Sequence, residues 1–295
     1  MTDQAKATIL ALTTVLIWST VASAFKLSLR ILSVAELLFF SSACSVLVLG
    51  LVILVQGRLK NLFSVSGRDM LLSAGLGFLN PFAYYFVLFW AYDLLPAQEA
   101  QPLNYTWAIT LSLLSVPLLK QSLRFVDLMA LVISYTGVYV ISTRGELLGL
   151  EFSNPVGVGL ALGSTIIWAL YWIFNTQDDL DPACRLFLNF VFGTFFVGVA
   201  MALTQSFSWP PVKGLLGALY IGALEMGITF VLWSTALKLS RSAAQVSIFI
   251  YLSPFLSLVF IHFLVGETIL PSTCVGLVLI IAGIGTQQLF RLRGT

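Results

Sequence analysis

Glu225 is a carboxylate set inside an apolar run, Ile221-Gly222-Ala223-Leu224-Glu225-Met226-Gly227-Ile228. A charge at the centre of a bilayer costs about 2.5–3.5 kcal/mol on insertion scales unless it is paired, protonated or open to water. Two chemistries fit such a group: holding the ammonium of a substrate, or carrying a coupling proton. The structural alternative is a neutral acid bonded to a neighbouring helix. Thr229 and Trp233 follow on the same helical face, at i+4 and i+8.

A second set of residues repeats a helical spacing. Trp168, Tyr171, Trp172 and Asn175 stand at i, i+3, i+4 and i+7, and Gln101, Asn104, Tyr105 and Ala108 do the same. Thr14 with Trp18, and Asn80 with Tyr84, share faces in the same way. Hydrocarbon offers no partners to indole, phenol or amide groups, so these faces are expected to turn inward. Together they predict a cavity walled by aromatic rings and studded with donors and acceptors. The alternative is that the same aromatics fill helix interfaces. The predicted substrate-binding set is Trp18, Asn80, Tyr84, Gln101, Tyr105, Trp168, Tyr171, Trp172, Asn175, Glu225 and Tyr251.

The elements that must position these residues follow from composition. The chain has 295 residues, 59% hydrophobic and 9% charged. Soluble domains average about 25% charged residues, so lipid must be the solvent here. Ten stretches are long and apolar enough to span a bilayer, near 7–28, 34–55, 69–92, 98–119, 125–143, 155–176, 183–205, 211–237, 242–264 and 270–290. The breaks carry turn residues, such as Gln56-Gly57-Arg58, Leu95-Pro96 and Trp209-Pro210-Pro211. Placing both termini inside puts most Lys and Arg on the cytoplasmic side, leaving Lys26, Arg30, Arg144 and Lys213 outside. Ala22-Ser23-Ala24 resembles a cleavage site, but the apolar run continues to about Leu29, so a retained helix is expected.

The chain also echoes itself. Ile17-Trp18 in the first stretch matches Ile167-Trp168 in the sixth, Tyr105 in the fourth matches Tyr251 in the ninth, and Gly137 matches Gly283. Asn80 falls opposite Glu225. The expected fold is an all-α integral membrane protein of ten transmembrane helices. Residues 1–145 and 146–295 form two five-helix repeats. An odd helix number inserts the second repeat upside down, and such pairs hold substrate near the midplane between them.

Other features read more plainly. Cys44, Cys184 and Cys274 lie in separate stretches and read as small buried apolar residues rather than redox or zinc ligands. His262 reads as a structural histidine, Trp209 as an interfacial anchor, and Gly159-x3-Gly163 as a site of close helix packing. Lys26, Arg30 and Glu36 suggest a local ion pair or snorkelling, and the Asp178–Asp181 run a cap for the seventh stretch. There is no Walker A pattern and no HExxH, so no cofactor, metal, nucleic acid or enzymatic chemistry is expected.

The whole chain resembles the drug/metabolite transporter superfamily with EamA-type repeats. The signature is Trp in the first and sixth stretches and Ser253-Pro254 in the ninth. Leu16-Ile17-Trp18-Ser19, Asn104-Tyr105-Thr106-Trp107 and Ile167-Trp168-Ala169-Leu170-Tyr171 resemble the YddG-type amino-acid exporter branch. The resemblance gives Trp18, Tyr105, Trp107, Trp168 and Tyr171 a cavity-lining role and implies a bacterial inner (plasma) membrane. Ala108 stands where that branch usually has Pro. The function implied is secondary export of aromatic or neutral amino acids, or related small metabolites, by alternating access. Alternatives are export of cationic drugs, organic-phosphate exchange, a passive channel, or a membrane-embedded enzyme using the Asp178–Asp181 run. The partners expected are a small-molecule substrate and the lipid bilayer; the oligomeric state is open.

Overall fold

A computed structural model describes residues 2–120, 125–148, 152–175, 180–204, 209–240 and 248–293. Helices follow the apolar stretches, and no strand occurs among the described residues. Among the described residues seven helices are long and apolar enough to cross a membrane: Asp3–Leu29, Val34–Val55, Gly67–Leu94, Phe125–Ser142, Pro155–Asn175, Pro182–Leu203 and Val212–Leu239. Phe249–Val265 and Pro271–Gln287 are shorter apolar helices. The fourth stretch is two helices, Ala97–Tyr105 and Trp107–Leu119, meeting at Thr106.

The helix ends are written locally. Ser33 with Glu36, and Ser66 with Asp69, close capping boxes. Pro155, Pro182 and Pro271 occupy first helical positions, where the missing N–H costs nothing. Asp181 Oδ1 accepts from the Ala183 and Cys184 N–H groups, so the expected cap is present at Asp181. Asp178 and Asp179 lie outside the described residues.

The chain forms two compact units that interleave its halves. One takes Met1–Phe86 and Asp178–Val265; the other takes Val87–Gln177 and Gly266–Thr295.

In the first unit, Asp3–Leu29 packs on Thr229–Leu239, and Val34–Val55 on Pro182–Thr204. Two of its long helices are distorted. Ile221–Ile228 is π-helical, a form that adds a residue to the turn and is common at functional sites, whereas Phe78–Ala83 is a kink at which Asn80 leaves helical φ/ψ. Polar ties hold the helix ends: Arg58 pairs with Asp181 at 2.8 Å, and buried Arg185 donates to the Asp69 carbonyl and Ser73 Oγ, each at 2.6 Å. Arg30 Nη2 donates to the Val265 carbonyl at 3.0 Å, while Glu36 accepts from Ser33.

In the second unit, Phe125–Ser142 and Pro271–Arg293 pack along their length. A Cβ at Gly137 would meet the Gly276 carbonyl, one at Gly276 the Gly137 carbonyl, and one at Gly283 the Ala130 carbonyl. The start of Ala97–Tyr105 is fixed by Glu267, whose carboxylate accepts from Ala97 N and Gln98 N at 2.8 and 3.0 Å. Gln98 in turn binds the Thr268 carbonyl, Leu270 N and Thr273 Oγ1. Buried Glu99 pairs with Arg144 Nε at 2.8 Å and accepts from Ser153 Oγ.

Several expectations need correction. Of the cysteines only Cys184 is buried; Cys44 is half-buried and Cys274 exposed. Nothing among the described residues comes within 4 Å of a Cβ at Gly159 or Gly163, so these residues make no close helix packing there. Trp209 is 80% exposed.

Candidate functional site

Glu225 occupies the π-helical turn Ile221–Ile228 of the first unit. Widening a turn frees backbone carbonyls, and hydroxyls take them up. Thr229 Oγ1 donates to the Leu224 and Glu225 carbonyls at 2.7 and 2.9 Å, and Ser45 Oγ on Val34–Val55 donates to the Met226 carbonyl at 2.7 Å. Gly222 lets the turn lie against the Ser41 carbonyl of that same helix. The distortion is therefore fixed from two sides, and the carboxylate with it.

Tyr85 OH donates to Glu225 Oε1 at 3.2 Å. The other oxygen, Oε2, is shielded from solvent and has no hydrogen-bond partner among the described residues. Tyr85 is itself held by rings: Phe25 edge-on at 6.3 Å and Tyr84 at 4.8 Å between centroids. Trp18 packs against Trp233 at 5.4 Å.

The face drawn through Asn80 and Tyr84 does not run as expected. Asn80 has φ −145° and ψ 118°, outside the helical region, and precedes Pro81. Regular i, i+4 spacing is interrupted there, and Tyr85, one residue on from Tyr84, meets Glu225. Asn80 is 0% exposed, and neither amide atom has a partner among the described residues. Gly193 leaves room for the Pro81 ring, and Gly77 for the Asn189 carbonyl. Tyr251 lies in a 3₁₀ turn, Ile248–Leu252, ahead of Ser253–Phe260.

In the second unit, Trp168, Tyr171 and Trp172 form one aromatic group on Pro155–Asn175. Trp168 stacks on Tyr171 at 5.7 Å, and Trp172 stands edge-on to both at 5.8 and 6.0 Å. The Trp172 Nε1 and Asn175 Oδ1 atoms have no partner among the described residues. Asn104 Nδ2 donates to Ser164 Oγ at 3.0 Å, joining Ala97–Tyr105 to this helix. Gln101 is buried on the same short helix, and its Oε1 has no partner among the described residues. Tyr105 and Trp107 are half-buried on either side of the break at Thr106, and that break ends the expected face before Ala108. Glu225 is thus brought to Tyr85, and Trp168 to Tyr171 and Trp172; Trp18 belongs to the first unit and Trp168 to the second.

Among the described residues, no cluster of three His, Cys, Asp or Glu side chains could hold a metal ion.

Known proteins carry the same pattern. The model of the EamA-like transporter family matches residues 5–143 and 155–286. An uncharacterized transporter of Clostridium kluyveri is 23% identical over 248 residues, 81% of this chain and 79% of that one. A protein of Streptantibioticus cattleyicolor named as a probable terminal-alkyne amino-acid exporter is 24% identical over 223 residues, 74% of this chain and 72% of its own. A solved crystal structure, 21% identical, has a TM-score of 0.68 and covers 98% of both chains, a likeness of fold.

Proposed function

The chain belongs to the EamA-like transporter family, and on that premise we propose that it is a secondary exporter of amino acids or similar small metabolites. It is a multi-pass membrane protein. In this reading ten helices cross the inner membrane of a bacterium, with both termini cytoplasmic, as residues 1–145 and 146–295 in opposite orientation. The interruption of one span at Asn80 and the distortion of another at Glu225, which the repeat sets opposite each other, support it. Alternating access exposes one midplane site to each side in turn.

One observation carries the proposal: inside an apolar span of a transporter-family chain stands a carboxylate with one oxygen engaged and the other without a partner among the described residues. A bare carboxylate oxygen away from water is matched by a cation, and the ammonium of an amino acid supplies one. The rings of Trp18, Tyr105, Trp107, Trp168, Tyr171, Trp172 and Tyr251 suit an apolar or aromatic side chain. The amides of Asn80, Gln101 and Asn175 suit a carboxylate or further polar groups. The exporter named in Streptantibioticus cattleyicolor supports the amino-acid class.

A second reading, export of cationic drugs, rests on the same carboxylate with cation–π contact. Phosphate exchange needs cavity Arg or Lys, and buried Arg185 is taken by Asp69 and Ser73.

Counterflow of the twenty amino acids and of cationic dyes in proteoliposomes separates these readings. Saturable counterflow of an amino acid is expected, reduced in Trp18→Ala and Trp168→Ala proteins that still insert. Dye counterflow alone would establish the second reading, and non-saturable flux would indicate a channel.

A further inference from the structure

Glu225 is reached by a partner from another helix, and that partner is not random packing. Tyr85 lies on Tyr84–Leu94, directly after the break at Asn80, and its hydroxyl meets Oε1. Its ring is buried and clamped by Phe25 and Tyr84. Meanwhile the backbone under Glu225 is pinned by Ser45 and Thr229. The pair is rigid on both sides, which is how a binding group is held to a fixed geometry.

The helices packed on this turn are Asp3–Leu29, Val34–Val55, Val212–Tyr220 and Thr229–Leu239. Their ammonium groups sit at helix ends. Lys26 and Lys238 are in last turns, Lys213 is in a first turn, and Lys6 pairs with Asp3. Of their other titratable groups, Tyr220 bonds Thr20, Cys44 donates to the Leu219 carbonyl, and Glu36 accepts from Ser33. A cargo ammonium group is one counter-charge that this carboxylate can take.

We propose that Tyr85 is a positioning residue: by holding Oε1 it turns Oε2 of Glu225 toward the ammonium end of the cargo. This rests on the exporter reading and deepens it. The hydroxyl orients the carboxylate and takes one of its lone pairs, so an incoming N⁺–H finds a single acceptor in a fixed direction. Without the hydroxyl the carboxylate rotates, and the directional gain is lost.

The test is a double-variant cycle in proteoliposomes, using the amino acid most active in counterflow. Tyr85→Phe is expected to raise the half-saturation concentration roughly 10-fold, the value of a hydrogen bond to a charged group. The maximal rate should stay within about 2-fold, since the hydroxyl acts in binding. Glu225→Gln is expected to raise half-saturation further. The double variant should be no worse than Glu225→Gln, because Tyr85 acts through that carboxylate. Losses that multiply would assign Tyr85 to packing and overturn the proposal, as would an unchanged half-saturation.

A second measurement does not depend on finding a cargo. A hydrophobic carbodiimide modifies buried carboxyls, and the Glu225 adduct is counted by mass spectrometry. Tyr85→Phe should react faster than the parent, because the donor that holds the carboxylate is gone; Glu225→Gln supplies the blank. Equal rates in the parent and Tyr85→Phe proteins would overturn the proposal. Faster labelling in Tyr85→Phe without counterflow of any amino acid would leave the Tyr85–Glu225 link standing and remove the exporter reading alone.

Discussion

At Asn80 the chain leaves the helical region outright, whereas at Glu225 it stays helical and only widens by a residue. Both distortions set a polar side chain inside an apolar span of the same compact unit, and both need a glycine where a neighbouring helix comes close. They differ in how the disturbed polar groups are satisfied. At the first, Pro81 removes a donor and sterics hold the shape, through Gly77 and Gly193 on facing helices. The Asn80 amide is left with no partner among the described residues. At the second, Ser45 and Thr229 cover the loosened carbonyls, and Tyr85 covers half of the carboxylate. A break made by shape leaves its polar group bare; a break made by hydrogen bonds leaves only the atom meant for something else.

The steric account of the first break faces the harshest test at Gly193. Gly193→Val would drive a side chain into the Pro81 ring and is expected to cost about 3 kcal/mol of stability. Thermal unfolding of the purified protein measures it, and an unchanged midpoint would remove shape as the cause. Next in size is the role of the half-covered acid. Glu225→Gln should lower transport efficiency roughly 10-fold or more and, if the group also carries a proton, flatten the pH dependence of transport. An unaltered pH profile would limit Glu225 to binding.

The bare amide gives an effect of opposite sign. Asn80→Leu removes a buried donor and acceptor while nearly keeping the shape, so it should raise stability by about 1 kcal/mol and still reduce transport. Lower stability would mean that the amide has a partner in the folded protein. The smallest effect belongs to the hydroxyls of the second break. Ser45→Ala should cost about 1 kcal/mol through the Met226 carbonyl, read in the same unfolding experiment. A loss nearer 3 kcal/mol would show that Ser45 supports far more than one carbonyl.

How much of this was readable from the chain divides along the same line. Helix positions were, because apolar length, Pro at first turns and capping residues such as Ser33 and Glu36 are local signals. The importance of Glu225 was also readable, since an acid in that run has no cheap explanation. Tyr85 was missed because a regular 3.6-residue turn carried the Asn80 face on to Tyr84. The extended backbone at Asn80 breaks that regular turn, so helical spacing cannot carry a face across it. Pro81 was the available warning. The turn at Glu225 has no proline, and its cause lies partly on Ser45, far away in sequence, so no local pattern announced it. The division at Thr106 was likewise hidden inside a continuous apolar stretch, though Pro102 and Asn104 weaken a helix there.

The glycines at 137, 276 and 283 have a mechanical consequence. They bring Phe125–Ser142 and Pro271–Arg293 so near that backbone touches backbone, with carbonyls where side chains would stand. Beside these carbonyls only a few side chains, those of Ser134, Ile141, Leu279 and Ile280, reach into the seam, so the two helices are expected to behave as a single beam. Whatever rearrangement carries cargo across must hinge elsewhere, and bulk added along this seam would jam assembly before it touched affinity.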